Sequence, residues 1–190
     1  MATTDDLTSV LKQLSDENLK KVLDFAEYLQ WRTQQVPRQR AWEFDFVEHF
    51  DQAEQSADRD AAGLEVKAAD ATCGGVTRAA LWEHPPVVGA AVLRYAVPIP
   101  SEVRNLKLQF SIGIRDGAEL PPERYVAFRV IVNGWKLWSA VKNSHAWEEY
   151  EVKMPELSSD VARIEFLTDG LGDHRWNWAV WGEPRLIGDL

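Results

Sequence analysis

Leu106-Lys-Leu-Gln-Phe-Ser-Ile-Gly-Ile114 alternates apolar residues with polar or small ones without a break. Leu106, Leu108, Phe110, Ile112 and Ile114 face one way, and Lys107, Gln109, Ser111 and Gly113 face the other. Successive side chains of a strand point to opposite faces, so a period of two predicts a strand with one buried side. Val126, Phe128, Val130 and Val132 repeat the pattern. That run ends at Asn133-Gly134, the strongest short signal for a hairpin, and Trp135-Lys136-Leu137-Trp138 is the returning strand. Trp135 and Trp138 lie on opposite faces of it, which sends at least one ring inward. Further strands are predicted near 91–97, 146–154, 161–168 and 176–181, with Pro and Gly breaks between them. Trp42, Phe44 and Phe46 alternate in the same way. Residues 48–62 are acidic and rich in Ala and Gln, and they fit either a solvated helix or a loop. Many short strands with no helices between them predict an antiparallel sandwich over 42–190.

The first third reads differently. Leu7, Val10, Leu11 and Leu14 recur at helical spacing. Ser15-Asp16-Glu17 interrupts them and offers a fresh helix start with acidic residues in the first turn. Leu19, Val22, Leu23, Phe25, Ala26 and Leu29 then form an apolar stripe about 160° wide at 100° per residue. Two such helices over residues 1–35 cannot bury that stripe by themselves, so it must pack on the rest of the chain or on a second copy. Pro37 ends the pattern, and 36–41 reads as a linker.

Composition narrows the function. The chain has 190 residues and a formal charge of −9. Residues 1–70 hold 8 basic and 15 acidic side chains, so most of the excess lies in the N-terminal third. This charge argues against gripping nucleic-acid phosphates or anionic lipid. A single cysteine, Cys73, excludes an internal disulfide framework and a Cys-rich zinc site. No basic n-region precedes an apolar core at the start, and no run approaches 18 apolar residues, so neither a signal peptide nor a membrane span is expected. A cytoplasmic protein is the resulting expectation.

Two segments carry family resemblances. Phe128-Arg-Val-Ile-Val-Asn-Gly-Trp-Lys-Leu-Trp138 is one part of the first. The other part is Ile164-Glu-Phe-Leu-Thr-Asp169, followed by Asn177-Trp-Ala-Val-Trp181 and Pro184-Arg185-Leu186. Together they resemble the galactose-binding-like jelly-roll carbohydrate-binding modules, above all the novel carbohydrate-binding module type. His84-Pro85-Pro86 and Phe110-Ser-Ile-Gly-Ile114 are similar to these modules too, and the resemblance covers roughly residues 80–188. It implies ligand binding without catalysis. The family often has Asp where Asn177 stands, so that carboxylate is lacking here. Val22-Leu-Asp-Phe-Ala-Glu-Tyr-Leu29 is similar to a short bacterial helical domain of unknown function found in antitoxin-like proteins, with a match over about 7–34. It implies an interaction element. The expected fold is therefore mainly β: an antiparallel jelly-roll β-sandwich preceded by a short N-terminal α-helical hairpin.

The candidate ligand-binding residues gather near the end of the chain. Asp169, Asp173, His174 and Arg175 lie in a glycine-containing loop just before Trp176, Trp178 and Trp181. Carboxylate, imidazole and guanidinium can hydrogen-bond sugar hydroxyls or a small anion, and a tryptophan face can stack on a sugar ring. The competing reading is a solvated turn with a local salt bridge, beside rings that fill the core. In a regular strand Trp176 and Trp178 share a face. His84, held extended before two prolines, could donate to a ligand or simply pack a loop. Asp169 and Asp173 supply too few oxygens for calcium, and no metal or cofactor is expected. Cys73-Gly74-Gly75 has no identifiable base, so an inert thiol is expected. Glu148, Glu149 and Glu151 read as a solvent-facing strand edge.

No catalytic constellation stands out, so a non-catalytic binding protein is expected rather than an enzyme. Its partner is a sugar or glycan. The alternative is a protein partner, with the chain acting as a scaffold or assembly subunit. Nucleic acid is not expected, and the N-terminal helices could join two copies as a homodimer.

Overall fold

The computed structural model describes residues 4–35 and 41–190. Of the expected linker over 36–41, only Ala41 falls among the described residues. The chain divides into two compact units, Met1–Arg40 and Ala41–Leu190.

In the first unit, α1 spans Thr4–Leu11 and α2 spans Asp16–Gln35. The Leu19 N–H donates to the Ser15 carbonyl at 2.8 Å, so α2 begins at the predicted Ser15-Asp16-Glu17 signal. Val10, Val22 and Leu23 are exposed.

The second unit is built from eleven strands: β1 (Ala41–Asp45), β2 (Glu54–Ala57), β3 (Glu65–Cys73), β4 (Val76–His84), β5 (Ala90–Pro98), β6 (Arg104–Ile114), β7 (Val126–Val132), β8 (Trp135–Lys142), β9 (Glu148–Lys153), β10 (Val161–Asp169) and β11 (Ala179–Asp189). They form two sheets of antiparallel neighbours. One has the order β3-β4-β11-β6-β9, with β1 also paired to β11, and the other has the order β2-β5-β10-β7-β8. Asn133 and Gly134 both have positive φ, 50° and 84°, as the tight β7–β8 hairpin requires. Within 48–62, the undecided segment folds as a short 3₁₀ turn, Phe50–Gln52, and strand β2 on β5.

The core lies between the sheets. Leu108, Phe110, Ile112 and Ile114 are buried as their alternation predicts. Trp181 is fully buried, with ring centroids of Phe166, Phe128 and Phe110 at 5.0, 5.2 and 5.3 Å. These edge-on contacts are the arrangement aromatic quadrupoles favour. Trp138 packs half-buried against this core, while Trp135 at the hairpin tip is exposed.

The expected strand over 176–181 needs correction. The strand begins only at Ala179, because Trp176 has φ 63° and the chain turns there, with the Asn177 N–H donating to the His174 carbonyl. Trp176 and Trp178 therefore lie in the connection before β11 and share no strand face.

Candidate functional site

The six-stranded sheet turns one face to the core and the other outward. On β4, Leu81 and Glu83 point inward and are fully buried, which puts Trp82 and His84 on the outer face. Cross-strand pairing sets Lys67 opposite Trp82 and Glu65 opposite His84. Arg115 follows β6 directly, and its backbone N–H donates to the Trp178 carbonyl at 3.0 Å. These residues line a pocket of about 340 Å³ at one end of the outer face.

Its geometry is specific. The Trp82 Nε1–H donates to the Ala69 carbonyl at 3.1 Å, which holds the ring against β3. The Arg115 guanidinium carbon sits 3.3 Å from the Trp82 ring centroid and 4.9 Å from that of Trp178. Lys67 Nζ lies 4.0 Å from the Trp82 centroid and donates to Glu65 Oε1 at 2.7 Å. His84 Nδ1 lies 2.9 Å from the Asn177 carbonyl oxygen. A carbonyl only accepts, so Nδ1 carries the proton and, in the neutral ring, Nε2 is an acceptor. Burial lowers the His84 pKa below its ordinary value, which keeps the ring neutral near pH 7. Trp176, about a third exposed, packs on Trp178 with centroids 5.4 Å apart.

The structure divides the residues proposed from sequence. His84 and Trp178 meet in this pocket, and Trp176 stands beside it. Asp169 and Asp173 are committed to the fold. Asp169 accepts from Arg129 at 3.2 Å and from the Leu171 N–H at 2.8 Å. Asp173 accepts from Arg124 at 2.9 Å and from Arg175 Nε and Nη2 at 3.0 and 2.9 Å, and these bonds hold its carboxyl well below the usual range. Asp169, Asp173 and His174 line a separate pocket of about 370 Å³ with Asp58, Arg59 and Gly89. Buried Asn177 ties the two places together: its Nδ2 donates to the Asp173 carbonyl, and its own carbonyl faces His84.

Farther along the outer face a groove of about 470 Å³ runs past Arg78, Gln109, Ser111, Glu149 and Arg185. Its charges are paired, with Arg78 to Glu149 at 2.8 Å and Glu151 to Lys107 at 2.7 Å, and Gln109 also donates to Glu151 at 2.8 Å. Between groove and pocket, Ala71, Cys73, Ala80 and Val180 form a small second core under Trp82 and Trp147. Cys73 is buried there, and desolvation pushes its thiol up to about 12, far from a reactive thiolate. Among the described residues, no group of three or more His, Cys, Asp and Glu side chains converges as metal ligands would.

The fold is similar to that of CBM51 carbohydrate-binding modules. One is the CBM51 of Clostridium perfringens GH95, solved in complex with methyl-galactose: TM-score 0.52, 9% identity, 76% of this chain and 99% of that one. A second is the tandem CBM51 structure of the family 98 glycoside hydrolase from Streptococcus pneumoniae SP3-BS71: TM-score 0.54, 11% identity, 80% of this chain and 48% of that one. A third contains CBM51-2 of C. perfringens ZmpB in complex with GlcNAc: TM-score 0.50, 12% identity, 78% of this chain and 32% of that one. No family model and no curated protein matches the sequence. The resemblance of residues 7–34 to the antitoxin-associated helical domain finds no support in these comparisons.

Lys67, Trp82 and Arg115 carry no local motif in the sequence. The signal for β3 and β4 was Gly74-Gly75, whose φ values of 58° and 79° make the tight turn between them. Once that hairpin is recognised, Trp82 and His84 fall on one face. Nothing local marks Arg115.

Proposed function

We propose that the sandwich binds a glycan without transforming it, at the outer-face pocket formed by Trp82, His84, Arg115 and Trp178. The carrying observation is the convergence of these side chains from β4, the end of β6 and the connection before β11. Trp178, flanked by Trp176, supplies aromatic surface for the C–H face of a sugar. His84 Nε2 and the Arg115 N–H groups supply an acceptor and donors for its hydroxyls. A few placed polar groups beside aromatic surface is the usual make-up of a small-ligand site. The methyl-galactose and GlcNAc complexes of similar folds support the reading. Catalysis is not part of it, since Glu65 is bonded to Lys67 and the His84 ring to a backbone carbonyl, leaving no assembled acid–base pair. The jelly-roll class of the sandwich and the pairing of α1 with α2 as a hairpin belong to the same proposal.

Glycan-array screening followed by calorimetry with methyl-galactoside and GlcNAc tests this. Trp178→Ala is expected to weaken binding by about 2 kcal/mol and, because the ring is half-buried and packs against the core, to lower melting as well. Asp173→Ala is expected to lower melting and leave binding in place. A chain that binds no glycan, or that binds equally well without the Trp178 ring, overturns the reading.

A second role rests on the helices. Val10 and Leu23 are more than half exposed. We infer that this apolar surface joins two copies of the chain.

A further inference from the structure

Trp82 is not a bare platform for a sugar. Two cations lie against its ring, Arg115 at 3.3 Å and Lys67 at 4.0 Å from the centroid. Stacking uses the flat faces of a guanidinium and leaves its N–H edge free. In Arg115 that edge is uncommitted: among the described residues, no carboxylate, carbonyl or hydroxyl accepts from it. The other partly buried arginines of the sandwich are engaged. Arg78 reaches Glu149, Arg94 reaches Glu165, Arg124 reaches Asp173, Arg129 reaches Asp169 and Arg185 reaches Glu43. Arg59 and Arg163, which also lack an ion pair, are exposed to water. Arg115 is half-buried, and burial lowers its pKa from the ordinary value, outweighing the attraction of nearby Glu65.

The local charge points the same way. The pocket holds Lys67 and Arg115 against one carboxylate, Glu65, and His84 is neutral. It is net positive in a chain of net charge −9. Lys67 is already bonded to Glu65, so Arg115 is the group left to meet a ligand. Its donors form a planar fork that matches the two oxygens of a carboxylate better than scattered hydroxyls.

We propose that this pocket selects a saccharide carrying a carboxylate, whose oxygens accept from the free edge of Arg115. The proposal rests on the glycan-binding reading above and narrows its ligand class. Trp178 faces the ring, Trp82 fixes the guanidinium, and Glu65 opposes the ligand charge.

Calorimetry on the full chain with matched methyl glycosides tests it: galactoside against galacturonoside, and glucoside against glucuronoside. The members of each pair differ only in a hydroxymethyl or a carboxylate at the same carbon. At least one acid is expected to bind about tenfold or more tighter than its neutral partner, since a charge-assisted hydrogen bond is worth about ten- to a hundredfold. Arg115→Gln is expected to erase that preference. Arg115 also packs on two rings, so Glu65→Gln serves as a second variant. Its side chain is more than half exposed, and its loss is expected to strengthen acid binding about two- to fivefold relative to neutral binding. Equal binding of acid and neutral sugar overturns the carboxylate assignment while glycan binding stands. An acid preference that survives Arg115→Gln overturns the placement in this pocket. Failure of every probe to bind overturns both proposals.

Discussion

Glu83→Gln should remove a fall in stability with rising pH that the wild-type chain carries. The Glu83 side chain is fully buried on the inner face of β4. Its Oε2 accepts from the Trp181 indole N–H at 2.6 Å, and its Oε1 has no hydrogen-bond partner. Burial outweighs the indole bond and the nearby Leu93 backbone N–H and raises its pKa well above the ordinary 4.5. Below the ordinary value, folded and unfolded chains both hold the proton and the group costs nothing. Above it, the unfolded chain releases the proton while the folded chain keeps it. The folded state then binds more protons, and stability falls as pH rises. From this one group the fall is about 1.4 kcal/mol per pH unit, until the folded value is passed. Glutamine cannot ionise, so its chain lacks this slope. Urea unfolding of both proteins at pH 5, 6 and 7 gives the measurement. The stability of wild type relative to Glu83→Gln should decline steadily with pH, whatever constant offset the amide introduces. Parallel profiles for the two proteins would refute the reasoning, because they would mean that Glu83 is equally ionised in both states.

Three further outcomes are expected. Lys142 Nζ is buried and donates to Glu148 Oε1 at 2.6 Å, so Glu148→Ala strands a buried cation and should cost about 3 kcal/mol in urea unfolding, whereas Lys142→Met should cost clearly less. Gly182→Ala would set a methyl 2.8 Å from the Trp147 ring and against Ser111 Oγ, and should destabilise by about 1–3 kcal/mol with a change in tryptophan emission. Leu23→Glu in the full chain should convert a dimer to a monomer by light scattering without lowering the melting temperature of the sandwich; an unchanged particle mass would remove the helices as a self-association surface.

The elements legible in the sequence are those with one wet face and one dry face. β6 and β7 are legible where Leu108, Phe110, Val130 and Val132 pack the core while Lys107, Gln109, Arg129 and Ile131 stay partly exposed. β3 and β4 were harder to read because both of their faces are partly covered. Ala71, Cys73 and Ala80 lie on the outer side and are nonetheless buried, under Trp147 and Trp82. Alternation fails when the outward face has a small core of its own. The many alanines, poor strand formers, weaken the signal further. Sequence pattern starts the last strand three residues early for a different reason. Trp176 and Trp178 have strand-like chemistry, but the positive φ of Trp176 is set by the turn and leaves no local mark in its residue type.

The candidate site shows the same limit more sharply. A loop containing Asp169, Asp173, His174 and Arg175 looks like a ligand set because the sequence shows only the local Asp173–Arg175 pair. The distant partners of Asp173 and Asp169, Arg124 and Arg129, come from the approach to β7 and from β7 itself. Arg115 is the converse. It looks unremarkable in the sequence beside Asp116, yet Asp116 accepts from the N–H groups of Gly74 and Gly75 at 2.7 and 2.9 Å. The nearest carboxylate in the chain is thus spent on the β3–β4 turn. A guanidinium becomes available to a ligand when the fold assigns every adjacent acceptor elsewhere. Such a vacancy is a property of the whole contact map, and no local motif can encode it.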